Sequence, residues 1–155
     1  MRTRLLTTDD WALWRDIRLR ALQDSPSAFG STYEREQRFT EQTWRERLDD
    51  PEVASVMVEQ DGRPTAMGAG VPEPPADLHV VAMWVDPGRR GHGLAGEVLR
   101  ALAAHAGERG LRLRLDVNTT NTAAIRCYER FGFVPTGATT PMREGSAELK
   151  MRMVR

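Results

Sequence analysis

The chain has 155 residues, the size of one ordinary domain, and its 40% of hydrophobic residues suffice for a core. Its 22 basic and 22 acidic side chains balance, unlike the basic excess of a dedicated nucleic-acid-binding protein, and its one cysteine, Cys127, excludes internal disulfides and metal sites built from several cysteines. No apolar stretch is long enough to span a bilayer or to act as a secretion signal. We therefore expect a single cytoplasmic domain over residues 1–155, without nucleic acid, membrane or metal among its partners.

The first half of the chain predicts a strand, helical segments and a hairpin. Thr8 and the two aspartates after it cap the first helix, and Asp61-Gly62 forms the tight turn of the hairpin. In chain order the elements are a strand over 2–6, a helix to about Leu22, a partly helical segment over 27–48, and strands over 53–59 and 64–71.

The second half shows more regular patterns. The largely apolar run over 78–85 is typical of a strand covered on both faces, and the alternation over 111–117 is typical of a strand with one buried face. The remaining elements are a helix that begins near Gly93, a helix that is capped by Thr119 and Thr120 and ends at Gly132, and strands over 133–136 and 147–154. The order β-α-α-β-β-β-α-β-α-β-β predicts an α/β fold with a mixed sheet.

A buried strand runs directly into a glycine-rich turn after Val85, and the turn opens a helix. Glycines let a ligand approach the backbone, and the first turn of a helix presents unpaired N–H groups that bind phosphate. Arg89 and Arg90 add full positive charge to the same turn. The alternative is a turn whose glycines only shape the chain, but the strand, the arginines and the helix together favour an anion site.

The type of anion site follows by elimination. The Gly-Lys-Ser/Thr of a P-loop is absent, and the glycine spacing differs from that of a dinucleotide-binding turn. The run Arg90-Gly91-His92-Gly93-Leu94-Ala95 matches Arg/Gln-x-x-Gly-x-Gly/Ala, and it resembles motif A of the GNAT superfamily of N-acetyltransferases. Further along, the segment from Asn121 to Phe133 resembles the Asn-x-x-Ala-x-x-x-Tyr…Gly-Phe motif of the same family. The segment from Arg18 to Gly30 resembles a bacterial, single-domain branch.

The resemblance implies a mixed, mostly antiparallel sheet of six to seven strands flanked by helices. It also implies transfer of the acetyl group of acetyl-CoA, the cosubstrate, to an amine by direct attack within a ternary complex. The alternative is a noncatalytic acyl-CoA-binding sensor or interaction module. Loss of catalysis in such a module would usually remove Tyr128 or erode the glycine turn, and both are intact here.

The family's functional positions carry over to this sequence residue by residue. The strand before motif A splays from its neighbour and pairs with the pantetheine arm, the turn amides hold the pyrophosphate, and a residue of the next helix contacts the cofactor. Tyr128 matches the tyrosine near the cofactor sulfur, where its hydroxyl would protonate the departing thiolate; core packing of its ring is compatible with that role. The implied cofactor-binding residues are Met83, Trp84, Val85, Arg90, Gly91, His92, Gly93, Leu94, Ala95, Gly96 and Asn121.

The general base is open at this stage. An alkylamine with a pKa of about 10 is almost wholly protonated at pH 7, so some group must take its proton. Asp116 occupies the position at which relatives that modify ribosomal protein N-termini carry a glutamate base, and its shorter side chain implies a bridging water. The alternative is an ion pair between Asp116 and an arginine of the same strand, Arg112 or Arg114. The rivals are His79, which we expect to be a polar strand-edge residue, His92, which we expect to be exposed, and the loop carboxylates Glu73 and Asp77.

The acceptor amine is not identified by the sequence. By the resemblance, residues 25–36 and the final hairpin over 137–146 build its side of the site, and Glu34 and Glu36 are candidates to attract a cationic amine. Small amines, antibiotics, amino acids and protein N-termini all remain open, and a homodimer is expected only by analogy.

Overall fold

The computed structural model describes all 155 residues, and one seven-stranded sheet forms its centre. The only parallel neighbours in the sheet are β4 and β5, and every other adjacent pair is antiparallel. This confirms the predicted mixed, mostly antiparallel sheet. Across the sheet the strands are β1 (Arg2–Leu5), β2 (Ala54–Gln60), β3 (Arg63–Glu73), β4 (Asp77–Val85), β5 (Arg112–Asn118), β7 (Leu149–Val154) and β6 (Val134–Pro141).

Helices cover both faces of the sheet. They are α1 (Trp11–Asp24), α2 (Tyr33–Glu36), α3 (Glu41–Arg47), α4 (Leu94–Glu108) and α5 (Thr122–Phe131). Val56 and Val58 of β2 pack into one core with α4, whereas Met57 between them packs into a second core with α1 and α3. Because successive strand residues point to opposite faces, the two cores lie on opposite sides of the sheet, which we call the α4 face and the α1 face.

The helix positions follow from apolar spacing and from their caps. Leu94, Val98 and Leu102 recur at i, i+4 along α4 and are fully buried, as an amphipathic helix against a sheet requires. The predicted caps of α5, Thr119 and Thr120, are wrong. Asn121 is the cap instead, since its side-chain oxygen accepts a hydrogen bond from the backbone N–H of Ala124 at 3.2 Å.

Two boundaries differ from the prediction because strand pairing overrides local turn signals. β3 continues to Glu73, through a stretch predicted as a loop, because Glu73 pairs with Asp77 of β4. β6 continues to Pro141 rather than ending at residue 136, and its register with β7 shifts around Gly137. The segment over 27–48 is split into α2 and α3. None of the helices has the length and apolar character that crossing a membrane requires.

Candidate active site

β4 and β5 pair at their first residues and then separate. The parallel register joins residues 77–79 of β4 to residues 112–114 of β5 and ends there. β4 stays paired with β3 as far as Val85, and β5 stays paired with β7 as far as Asn118. Beyond residues 79 and 114, the facing edges of β4 and β5 therefore expose backbone N–H and C=O groups along an open slot. An extended ligand with amide groups can pair with such an edge as an added strand does.

A bulge in β4 sets the direction of its side chains along this slot. Ala82 has a left-handed backbone (φ 57°), and the register with β3 shifts opposite it. After the bulge, Met83 and Val85 pack against the core on the α4 face, and Trp84 is buried in the core on the α1 face. Bulges bend the strand that carries them and re-aim its side chains. This one leaves the backbone of residues 83–85 as the wall of the slot.

The glycine-rich turn lies at the carboxyl end of β4, where the slot ends. Gly91 and Gly93 both have left-handed backbones (φ 83° and 80°), and no atom of the chain lies within 4 Å of where a β-carbon would stand on either. The first N–H of α4 that finds an acceptor within the helix is that of Glu97, which donates to the carbonyl of Gly93 at 3.2 Å. The N–H groups of residues 91–96 have no acceptor in the chain. Free N–H groups at the N-terminus of a helix can bind an anion, which is the chemistry that the sequence predicted for this turn.

The side chain of Arg90 ties this turn to α1 instead of extending into the slot. Its Nε donates to the carbonyl of Val85 at 3.0 Å, and its Nη2 donates to the carboxylate of Asp24 at 2.9 Å. The indole N–H of Trp84 donates to the same carboxylate at 3.0 Å. Hydrogen bonds from Ser25, Trp84 and Arg90 hold the pKa of Asp24 below its usual value. Asp24, Arg90 and Trp84 form a clamp, which we call the Asp24 clamp, between α1, β4 and the turn.

α5 contributes a free phenol. The ring of Tyr128 packs against the core on the α4 face, in an edge-to-face contact with Phe133 at 5.8 Å between ring centres. Its hydroxyl makes no hydrogen bond within the chain and is not sealed off from solvent. Burial raises the pKa of Tyr128 to about 12, so the hydroxyl keeps its proton at any working pH. The side-chain oxygen of Asn121 is used as the cap of α5, which leaves the amide NH₂ of Asn121 free to donate to a ligand.

A cluster of charged side chains lies on the α1 face, where the slot begins. The aliphatic residues Leu113 and Leu115 of β5 point to the α4 face, so the intervening Arg114 and the following Asp116 point to the α1 face. Strands β3, β4, β5 and β7 all contribute to this group. We call it the charged cluster, and it consists of Glu73, His79, Arg114, Asp116, Lys150 and Arg152.

Arg114 holds the two carboxylates of the charged cluster. Its side chain is only 5% exposed, it bonds to Glu73, and its Nη1 donates to both oxygens of Asp116 at 3.3 Å. Lys150 and Arg152 lie farther from Asp116, at 3.9 and 3.7 Å. The predicted ion pair of Asp116 thus forms with Arg114. Arg112, the other arginine considered, pairs with Asp77 instead, at 3.2 Å.

His79 belongs to this cluster and is not the strand-edge residue that the sequence suggested. Its Nδ1 lies 3.6 Å from Glu73 and its Nε2 lies 3.6 Å from Asp116. Burial, followed by the positive charge of Arg114, holds the pKa of His79 below its usual value despite the two carboxylates. The imidazole is therefore neutral at pH 7. His92 is exposed in the turn, as expected.

One of the two glutamates considered for attracting the acceptor is unavailable. Glu36 is fully buried, and its carboxylate is held by Arg18 at 3.0 Å and by Arg47 at 3.2 Å. Removing either arginine would leave a buried charge uncompensated, so this group fixes the packing of α2 against α1 and α3. Glu34 is exposed. The final hairpin does reach the segment after α1, because Arg143 donates to the carbonyl of Ser27 at 3.3 Å.

An unpaired strand edge that leads to a helix N-terminus with free N–H groups can hold a long ligand that carries phosphate at one end. The sequence profile of the Acetyltransferase (GNAT) family matches residues 13–133, and the chain belongs to this family. It is 32% identical over 133 residues to a mycothiol acetyltransferase of Thermobispora bispora, a match that covers 80% of this chain and 43% of the relative. The chain therefore spans less than half the length of that curated relative.

Solved structures share the fold over nearly the whole chain. A GNAT-family acetyltransferase from Streptococcus pneumoniae superposes with a TM-score of 0.80 at 17% identity, covering 99% of this chain and 98% of the other. The protein yncA of Salmonella typhimurium, solved with its cofactor acetyl-CoA, superposes with a TM-score of 0.77 at 20% identity, covering 100% and 92%. At this identity the likeness establishes the fold.

Proposed function

We propose that the chain transfers the acetyl group of acetyl-CoA to an amine by direct attack within a ternary complex. The observation that carries the proposal is the slot between β4 and β5, which has a free strand edge along its length, an anion site at one end and the charged cluster at the other. Membership in the GNAT family supports the same activity. The mycothiol acetyltransferase that the chain resembles adds a relative named for acetyl transfer.

The slot has the length and the donors that the cosubstrate needs. Residues 79–85 of β4 span about 20 Å at the rise of an extended strand, so a ligand anchored by phosphate at the turn places its far end near His79. The backbone of Met83, Trp84 and Val85 pairs with the pantetheine arm. The amides of residues 91–96 hold the pyrophosphate, and Arg90 shapes the turn that carries them. The free amide NH₂ of Asn121 donates to the ligand from α5.

The chemical step forms a bond between the amine nitrogen and the carbonyl carbon of the thioester. The carbon–sulfur bond breaks and its electron pair leaves with the sulfur, while a proton of the amine passes to the charged cluster around Asp116. The hydroxyl of Tyr128 donates a hydrogen bond to the sulfur as negative charge develops. A thiol has a pKa of about 8.5, well below that of Tyr128, so the phenol stabilises the thiolate more than it surrenders its proton.

The cysteine next to this tyrosine is a poor nucleophile, which supports direct attack over an acyl-enzyme. Cys127 is half-buried, and burial raises the pKa of its thiol above the ordinary value. Thiols react as thiolates, and the thiolate fraction of Cys127 at neutral pH is correspondingly small. The positive charge of Arg130 lowers the pKa of the thiol, but burial outweighs it.

Thiol release tests the proposal. The protein is mixed with acetyl-CoA and a panel of primary amines (amino acids, polyamines, aminoglycosides and short peptides), and free coenzyme A is measured with a thiol reagent. At least one amine is expected to release thiol above the rate without protein, and the acetylated amine should appear by mass spectrometry. Tight binding of acetyl-CoA without thiol release for any member of the panel would instead identify an acyl-CoA-binding module.

A further inference from the structure

We propose that His79 takes the proton from the acceptor amine at its Nε2, and that Asp116 and Glu73 are positioning residues that stabilise the resulting imidazolium. The inference rests on the proposed acetyl transfer and assigns its proton to one atom of the charged cluster. The geometry that carries it is the placement of one imidazole between two carboxylates at the closed end of the slot.

The two carboxylates complement the protonated ring better than the neutral one. A neutral imidazole has one N–H and one lone pair, whereas the imidazolium has two N–H donors. With Glu73 opposite Nδ1 and Asp116 opposite Nε2, the neutral ring must face a carboxylate with a lone pair on one side. Gaining a proton gives each carboxylate a donor.

Nε2 is the nitrogen with access to the slot. Asp116 lies two residues past Arg114, the last residue of β5 that pairs with β4, so the gap between Nε2 and Asp116 opens on the separated part of the strands. That gap is 3.6 Å, longer than a hydrogen bond, so Nε2 is not committed to Asp116 before the amine arrives. Glu73 lies at the end of β3, 3.6 Å from Nδ1, and is held by Arg114, so a proton on Nδ1 would face the paired, closed side of the strands.

Charged groups on neighbouring strands set the protonation state of the His79 ring, which is neutral before the amine binds and can therefore accept a proton. Those facing His79 are Glu73 from β3, Arg114 and Asp116 from β5, and Lys150 from β7. Burial and the two cations oppose protonation, and the two carboxylates favour it, with a pKa below the ordinary value as the net result. A base is most effective when it is neutral at the working pH and its charged form is stabilised at the moment of transfer.

Asp116 is less suited to take the proton itself. Both of its oxygens accept from Arg114, and Lys150 and Arg152 face the same carboxylate. Protonating Asp116 would weaken all three ion pairs at once, whereas protonating His79 leaves them in place. In this arrangement the carboxylate of Asp116 stabilises the positive charge of the protonated His79 ring.

An NMR titration tests the inference without any acceptor. The sequence has three histidines, so the imidazole resonance of His79 is identified by its loss in His79→Gln. We expect it to titrate below about pH 6.5, and we expect Asp116→Asn to move the midpoint lower still, because removing the anion disfavours the imidazolium. A His79 ring that is charged at pH 7.5, or a midpoint unaffected by Asp116→Asn, would overturn the assignment whether or not the protein transfers acetyl groups.

Kinetics with two small amines tests the catalytic part. Ethanolamine is mostly protonated at pH 7 and needs a base, whereas hydroxylamine is already neutral. His79→Gln should lower kcat/KM for ethanolamine at least tenfold more than for hydroxylamine, and Asp77→Asn, two residues away on the same strand, should leave both unchanged. With ethanolamine, the wild type should lose activity more steeply below the midpoint of His79, because both the amine and the base are then protonated. His79→Gln should show only the shallower loss that protonation of the amine itself causes.

The possible results distinguish a wrong assignment of the base from a wrong assignment of the acetyl-transfer activity. Equal losses for the two amines in His79→Gln would overturn the role of His79 while leaving acetyl transfer intact. A wild type that binds acetyl-CoA but acetylates neither amine would overturn the inference together with the proposed transfer. Preserved acetyl-CoA binding in His79→Gln, seen as an unchanged thermal shift, shows that the variant is folded.

Discussion

At the scale of single residues, the ring of Tyr128 packs in the core while its hydroxyl is free. Removing the hydroxyl alone therefore tests its chemical role without disturbing the packing. Tyr128→Phe keeps the ring and its contact with Phe133, and it deletes a hydroxyl that bonds to nothing in the chain, so no polar partner is left unsatisfied. We expect nearly unchanged stability and acetyl-CoA affinity, with kcat reduced about 10- to 1000-fold. Steady-state kinetics with ethanolamine and a thermal melt measure both. Unchanged turnover would mean that water, and not the phenol, assists the leaving sulfur.

Asp24 is the residue that joins the glycine-rich turn to α1, and it makes the Asp24 clamp sensitive to acid. Its pKa is below the ordinary value because of hydrogen bonds from Ser25, Trp84 and Arg90. A lowered pKa contributes stability that is present above the unfolded value of about 3.9 and is lost as the pH falls through the folded value. We expect Asp24→Asn to reduce the urea midpoint at pH 7 and to flatten its decline between pH 5 and pH 3.

A second carboxylate on the same helix provides the control for Asp24. Asp16 pairs with Arg20 at 3.2 Å, and its side chain is 54% exposed. Exposed pairs of this kind contribute little, so Asp16→Asn should leave the urea midpoint and its pH dependence close to those of the wild type. Equal effects of the two substitutions would mean that the acid sensitivity reflects the general charge of α1, and that the Asp24 clamp is not its source.

At the scale of elements, the glycine turn and the N-terminus of α4 together make up the proposed phosphate site. Gly93→Val places a branched side chain on a left-handed residue and over the free amides, so it should abolish the thermal shift by acetyl-CoA while the protein still folds. The backbone strain alone costs about 1–2 kcal/mol. Melting curves with and without acetyl-CoA measure both effects. A persistent shift in Gly93→Val would remove the turn amides from the binding site.

Gly107 in the same helix is the matched control for this substitution. It lies within α4, has an ordinary helical backbone, and a β-carbon there would meet no atom within 4 Å. Gly107→Ala should raise stability by about 0.5–1 kcal/mol through helix propensity and leave the acetyl-CoA shift intact. A loss of the shift in this variant would show that any change in α4, and not the turn itself, disturbs the site.

The sequence predicted those elements whose signals are local. Three elements are specified by patterns within a few residues of chain, and the structure contains all three. They are the strand of the apolar run over 78–85, the strand of the alternation over 111–117 and the helix after the glycine turn. The caps of α5 were wrong because Thr119, Thr120 and Asn121 all have capping side chains, and only the course of the preceding turn decides which of them begins the helix. The length of β6 likewise depends on its partner β7.

The part of the candidate site that consists of backbone groups was predictable from the sequence, and the part that consists of side chains from several strands was not. The turn amides follow from glycine spacing, whereas the charged cluster requires the register of four strands. His79 meets Glu73 only because β3 continues beyond residue 71 into the predicted loop, and it meets Asp116 only because β5 lies parallel beside β4. No local pattern around His79 contains that information. The structure shows that Leu78 and Val80 are buried on the α4 face, which turns the side chain of His79 between them to the opposite face.

At the scale of the whole molecule, β4 is the strand on which both cores and both ends of the slot depend. Its residues contribute to the core on the α4 face and, through Trp84, to the core on the α1 face. The Asp24 clamp fastens its carboxyl end to α1, and the charged cluster occupies its amino end. A ligand that lies along β4 therefore contacts elements from both halves of the chain and should stabilise the fold as a unit.

Acetyl-CoA should accordingly raise the melting temperature of the whole domain in one cooperative transition. A ligand at 100 times its dissociation constant adds about 2.7 kcal/mol, which corresponds to about 5–10 °C for a domain of this size. Differential scanning fluorimetry over a range of acetyl-CoA concentrations measures the shift and gives the affinity, which we expect in the micromolar range. ATP at the same concentrations offers phosphates to the turn but no arm to pair with β4, so its shift should be far smaller. An equal shift with ATP would reduce the site to a phosphate-binding turn, and no shift at millimolar acetyl-CoA would overturn the cosubstrate assignment itself.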